Sequence, residues 1–282
     1  MRAIVVLKRM RMRINYARNI KKWNREYLEL IREEPADGAI QPYLRGRNCL
    51  FLVPHADDEL FGGYMLTRKE NVLLCYCGFT GENYQEKNRL TRQQEYQSYV
   101  DRVGAKSVFP YDLAEELPSI LVENQIDTIV LPSLVDWHLE HRLVNYLTGV
   151  TCERANIQPQ ILWYMVSVPV MAKERYIVPM TESEQEEKYT IFREVYRSQR
   201  HLATHRFKLL ERLAARGTEY FAAESYMKIE YEQWVKLTKE FSHLEGVPAN
   251  EMLGQIKRLK SKLGSLKQIR QEAKAIYDIL LQ

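Results

Sequence analysis

Asn48-Cys49-Leu50-Phe51-Leu52-Val53-Pro54-His55-Ala56-Asp57-Asp58-Glu59-Leu60-Phe61-Gly62-Gly63 decides the fold of this chain. Cys49 to Val53 is an apolar run long enough for one buried strand, and Pro54 stops it. Polarity then inverts, with one His and three acids inside five residues, before Leu60 and Phe61 begin a packed helical segment. Chemistry in an open α/β sheet sits at the carboxyl ends of its strands, which is where this cluster falls. A solvated acidic turn would account for Asp57-Asp58-Glu59 alone, so the weight rests on a second cluster.

That cluster is Asp136-Trp137-His138-Leu139-Glu140-His141, which follows Asp127–Pro132, another apolar run closed by proline. Three of the six histidines lie in these two segments. Imidazole and carboxylate are the ligands expected of a catalytic zinc, which keeps three protein groups and one open position. Iron or another divalent metal would accept the same donors.

Outward from these motifs, strand candidates are 49–53, 72–77, 107–109, 128–131 and 161–168. Helical segments fall at 60–68, 88–103, 117–124 and 141–154, and the chain is expected to be helical beyond Pro179. Such alternation implies βαβ units, a mostly parallel sheet and right-handed crossovers. The expectation is an α/β, Rossmann-like three-layer fold with helical N- and C-terminal extensions. Residues 1–46 form the first extension, 47–245 the catalytic domain and 246–282 a long C-terminal helix. No Gly-x-Gly-x-x-Gly follows the first strand, which argues against a dinucleotide site.

The motifs resemble those of the PIG-L/LmbE-like zinc-dependent N-deacetylases. The family's Pro-His-Pro-Asp-Asp-Glu corresponds to Pro54-His55-Ala56-Asp57-Asp58-Glu59, and its Asp-x-His-x-Asp-His to Asp136–His141 with Glu140 in place of Asp. Thr80-Gly81-Glu82, Arg92-Gln93-Gln94-Glu95 and Ser198-Gln199 look similar to further family elements, in order. The resemblance implies that His55, Asp58 and His141 hold zinc while Asp57 acts as general base. His138, if protonated, would stabilise the oxyanion. Glu59 would support His55 from behind. Arg92 and Glu82 would contact substrate, with an Arg92–Glu95 ion pair as the structural alternative. The implied reaction is removal of an N-acetyl group from an N-acetylglucosamine-containing substrate. An amidase for a non-sugar amide or thiol conjugate, or a silent scaffold working through its terminal helices, are the alternatives.

Composition bounds the rest. At 282 residues and 45% hydrophobic, the chain can bury a sizeable core. Four cysteines without a Cys-x-x-Cys spacing read as reduced thiols. The longest apolar runs are too short for a membrane span, and a cytoplasmic enzyme is expected. The net charge of +4 is uneven: residues 1–32 carry ten Lys/Arg against two Glu. Tyr16, Ile20, Trp23, Tyr27 and Ile31 recur at helical spacing there, so residues 10–32 could lie on an anionic membrane, although packing on the chain's own domain is favoured. Charge confined to one terminal element argues against nucleic acid. The pair His201/His205 is a weak metal candidate. Residues 253–281 carry a coiled-coil-like stripe that packs either on the domain or between subunits of a homo-oligomer.

Overall fold

The structure, a computed structural model, describes residues 14, 18–26, 28–29, 44–79, 86–169, 175–244, 246–247 and 266–280. Strand β1 (Cys49–Val53) pairs in parallel with β2 (Val72–Tyr76) on one side and β4 (Thr128–Pro132) on the other. β3 (Lys106–Val108) extends the sheet beyond β2, and β5 (Gln160–Tyr164) extends it in parallel beyond β4. Helix α1 (Asp58–Gly63) follows β1, α2 (Glu86–Val103) follows β2, α3 (Leu113–Glu123) follows β3 and α4 (Leu139–Ala155) follows β4.

Side chains alternate along β1, so the sheet separates two cores. Leu50 and Leu52 join Ile129, Leu131, Ile161 and Trp163 on one face. Cys49, Phe51 and Val53 join Leu74, Val130, Leu162 and Tyr164 on the other. Burial on both faces explains why these strands read as continuous apolar runs. All four cysteines are free.

The last part of the sheet departs from expectation. β6 (Arg175–Met180) and β7 (Ala222–Ile229) are antiparallel to each other, and β7 is antiparallel to β5. The order is β3-β2-β1-β4-β5-β7-β6. Between β6 and β7 run α5 (Glu182–Val195), a 3-10 turn at Arg197–Gln199 and α6 (Thr204–Ala214). The chain beyond Pro179 is therefore not wholly helical. β7 contains Glu224 and Ser225, both buried, and escapes an apolar-run search for that reason. Lys188 of α5 neutralises Glu224 at 3.3 Å and Glu211 of α6 at 2.8 Å, all three fully inside the protein.

Helix α7 (Tyr231–Ser242) packs on α4, and α8 (Leu266–Leu280) closes the described chain. The α8 stripe is turned inward: Ile269, Ala273 and Ile276 belong to the core under α4. At the other end Trp23 is buried and Ile20 packs on the same core, so the described part of the basic helix lies on its own domain. Residues 248–265 and most of 1–43 fall outside the described residues, as do the turn expected at 35–38 and Glu82.

Candidate metal centre and active site

β1 and β4 are neighbours in the sheet, and the crossovers leaving them run to opposite sides, so their carboxyl ends open a crevice. α1 can approach this crevice closely because Gly62 and Gly63 lack side chains. A Cβ on Gly62 would stand 2.1 Å from the Tyr164 ring, and one on Gly63 2.4 Å from Phe51. Tyr164 is itself fixed, stacked on Phe51 and donating its hydroxyl to Leu52 O at 2.9 Å.

The β1–α1 turn brings His55 and Asp58 together: the His55 amide donates to Asp58 Oδ2 at 2.9 Å, and His55 Nδ1 lies 2.9 Å from the same oxygen. From the first turn of α4, which follows β4, His141 Nε2 reaches that oxygen at 3.2 Å. Each imidazole has a carboxylate on its far nitrogen. His55 Nε2 lies 2.6 Å from Glu140 Oε2, and His141 Nδ1 lies 3.3 Å from Asp136 Oδ1. Carboxylates in these places fix tautomer and ring orientation. Asp136 is held in turn by the amides of His138 at 3.0 Å and Ser167 at 2.7 Å. α4 is locked to the sheet by buried Asn145, which donates to Pro132 O and His141 O and accepts from the indoles of Trp163 and Trp234.

His138, at the N-cap of α4, completes the group: His55, His138 and His141 each offer a ring nitrogen, all within 4.8 Å of one another. His138 Nδ1 is buried and has no hydrogen-bond partner. Three convergent imidazoles, the unsatisfied His138 nitrogen and a carboxylate oxygen between two of the rings make a donor set that fits a divalent cation. Without one, protons supply the positive charge. Burial opposes charge on His55, but the Asp58 carboxylate overrides it and pushes the imidazole up to about 9. Burial likewise opposes charge on His141, and Asp58 with Asp136 pushes it up to about 10. Asp58 is held well below the usual range by the same two rings, against its burial. Burial, with the neighbouring positive rings, pushes His138 down to about 3, which favours its neutral form.

Asp57 occupies an unusual backbone position, with φ 133° and ψ −19° at the N-cap of α1. A non-glycine residue at such a φ is strained and needs surrounding support. Its amide donates to Glu59 Oε2 at 3.1 Å, and Glu59 Oε1 accepts the Tyr196 hydroxyl. Glu59 therefore does not stand behind His55, as expected; that place is Glu140's, and Glu59 braces the Asp57 peptide instead. Burial raises Glu59 well above the ordinary carboxylate range. Asp57 is pushed up to about 7 by burial, with the Arg92 guanidinium pulling the other way.

Arg92 stands 3.7 Å from Asp57 Oδ2, and with the Gln199 amide oxygen turned toward it, its Nε and Nη2 donate to that oxygen at 3.1 and 3.0 Å. The Arg92–Glu95 pair held as an alternative is replaced: Glu95 accepts from the Ser198 amide at 2.7 Å and hydroxyl at 2.6 Å. Around these groups lies a cavity of about 470 Å³. His55, Asp57, Asp58, His138, His141 and Arg92 line its floor and one side; Ser167, Ser198 and Gln199 add polar groups. Phe61, stacked on Phe207 at 3.9 Å, forms an apolar wall with Val166 and Leu202. His201 also lines it, while His205 begins α6 and is not among the lining residues. The roles of Glu140, Asp136 and Phe207 escaped sequence reasoning. For the two acids, the available signal was a carboxylate adjacent to or two residues from a motif histidine.

No family model and no curated protein matches the chain. Solved structures do. N,N'-diacetylchitobiose deacetylase from Pyrococcus horikoshii superposes with a TM-score of 0.50 at 19% identity, over 69% of this chain and 88% of that one. The conserved protein TT1542 from Thermus thermophilus gives a TM-score of 0.50 at 16% identity, over 64% of this chain and 94% of that one. Element order, crevice and the match to these structures agree: the chain has the fold of the LmbE/PIG-L-type deacetylases.

Proposed function

We propose that this chain is a zinc-dependent N-deacetylase that hydrolyses the acetamide of an N-acetylglucosamine-containing substrate, giving acetate and a free amine. The observation that carries the reading is the single oxygen, Asp58 Oδ2, within 3.2 Å of ring nitrogens from both His55 and His141. Those three residues would hold the cation, and His138 stands close enough to complete or leave the set. When bound, the cation supplies Lewis acidity toward a carbonyl and toward water.

Asp57 lines the same cavity and is the general base: it takes a proton from the attacking water and passes it to the departing nitrogen. A carboxyl poised near neutrality suits both transfers, because neither protonation state is far out of reach. His138, neutral, donates a hydrogen bond to the carbonyl oxygen as it gains charge. Arg92 favours the charged form of Asp57 against its burial and, with Gln199 and Ser198, offers hydrogen bonds to sugar hydroxyls. The stacked Phe61 and Phe207 give a flat apolar surface suited to a pyranose face.

The deciding experiment pairs zinc content with turnover on acetylated sugars and on non-sugar amides. Zinc bound by wild type and by Asp57→Ala, with turnover in wild type alone, is the expected result. A folded wild-type protein that binds no zinc favours the scaffold alternative.

A further inference from the structure

Three polar contacts of helix α8 adjoin the proposed centre, while a fourth, Glu272 Oε1 with His243 Nε2 at 3.0 Å, lies at the end of α7. The Arg270 guanidinium lies over the Trp137 ring, 4.4 Å from its centroid, and Trp137 separates Asp136 from His138. Glu272 pairs with Arg142, the residue after His141, and Arg142 also donates to Phe241 O at 3.2 Å. The Tyr277 hydroxyl donates to Pro169 O, two residues beyond Ser167. Trp137 is further braced by Trp23, whose ring lies 5.8 Å away.

Two of these contacts bear on one carboxylate. Asp136 is suspended between the 136–138 turn and the 166–169 loop, accepting from the amides of His138 and Ser167. Its Oδ1 also stands 3.3 Å from His141 Nδ1. A shift of either loop relative to the other must therefore move Asp136 against the imidazole. The buried stripe of Ile269, Ala273 and Ile276 holds α8 on the domain, but apolar packing alone is tolerant of sliding and rotation. Arg270, Glu272 and Tyr277 supply the direction that apolar contact lacks.

We infer that α8 is a positioning element of the metal centre: with Arg270 on Trp137, Glu272 on Arg142 and Tyr277 on Pro169, it fixes where Asp136 meets His141 and so sets the affinity of the site for its cation. This rests on the reading that His55, Asp58 and His141 hold zinc. A purely structural role for the helix predicts something different, because Arg270 is exposed and its loss should leave global stability unchanged.

The test measures zinc affinity of the full chain by competition with a chromogenic chelator, alongside the urea midpoint. Arg270→Ala and Tyr277→Phe should each weaken zinc binding about tenfold, the lower end of losses seen when the outer partner of a metal ligand is disturbed. The urea midpoint should stay at the wild-type value for Arg270→Ala. Arg270→Lys, which keeps a cation for the indole, should recover most of the affinity, and Lys274→Ala on the exposed side of α8 should match wild type. Zinc affinities of Arg270→Ala and Tyr277→Phe equal to that of a zinc-binding wild type would overturn the inference and leave the metal reading standing. So would an equal loss in Lys274→Ala. A wild-type chain without zinc affinity would sink both.

Discussion

Asp58 Oδ2 lies 3.2 Å from His141 Nε2, a contact between residues 83 positions apart in the chain. The contact exists because β1 and β4 are adjacent and in parallel register, Cys49 beside Thr128 and Phe51 beside Val130. A ligand held there ties two separate crossovers together in the native state alone. Zinc at a hundredfold excess over its dissociation constant should then stabilise the protein by about 2.7 kcal/mol. Thermal unfolding with and without zinc, after treatment with a chelator, reads this directly, and an unchanged midpoint would contradict it.

Glu140 holds His55 from the nitrogen opposite Asp58. Glu140→Gln keeps the shape but offers a neutral amide, so His55 loses the charge that fixes its tautomer. Zinc affinity should fall by about 10- to 100-fold, the range for such outer partners. Equilibrium dialysis across a zinc series measures it. Glu59→Gln, by contrast, should leave zinc affinity near wild type, since its carboxylate serves the Asp57 peptide and Tyr196.

Lys188 is the cation of a buried trio with Glu211 and Glu224, and it also donates to Phe61 O at 3.1 Å. Lys188→Met leaves two carboxylates inside the protein without their counter-charge. A loss of about 3–5 kcal/mol in chemical denaturation is expected. Burial already raises Glu224 above its ordinary value. A raised group stabilises the folded state below its folded pKa and ceases to as pH rises through it. The variant's deficit should therefore shrink as the buffer is taken from neutral toward acid.

Gly62 faces the Tyr164 ring at a distance that leaves no room for a methyl group. Gly62→Ala must push α1 or Tyr164 aside, at a cost of about 1–3 kcal/mol. Because α1 carries Asp58, the same change should lower zinc affinity. Gly149→Ala, where an added Cβ would meet only the Trp234 ring at 3.7 Å, is the control and should cost far less.

The parallel half of the sheet was legible because its strands are short apolar runs cut by Pro54 and Pro132 or by polar turns. The antiparallel half was not. Glu224 in β7 and Arg175 in β6 are buried charges, and Lys188, the partner that makes Glu224 tolerable inside a sheet, comes from α5. The motif histidines could be picked out one by one, yet their pairing with Glu140 and Asp136 depends on which ring nitrogen points inward. Glu59 was misassigned for a similar reason: its partner Tyr196 lies 137 residues away. The stripe of α8 left two packings open, and burial of Ile276 against the domain chose between them for the described part of the helix.

At Asp57 the main chain adopts a shape that glycine would accept without protest, and the residue found there is an acid. Holding an L-amino acid in that conformation forfeits on the order of 1–3 kcal/mol. A protein whose only task was to be a rigid platform would gain by giving the position up. Glu59 and Tyr196 brace the peptide that holds the carboxylate there, and on the proposed reading durability has been traded for reactivity at this turn.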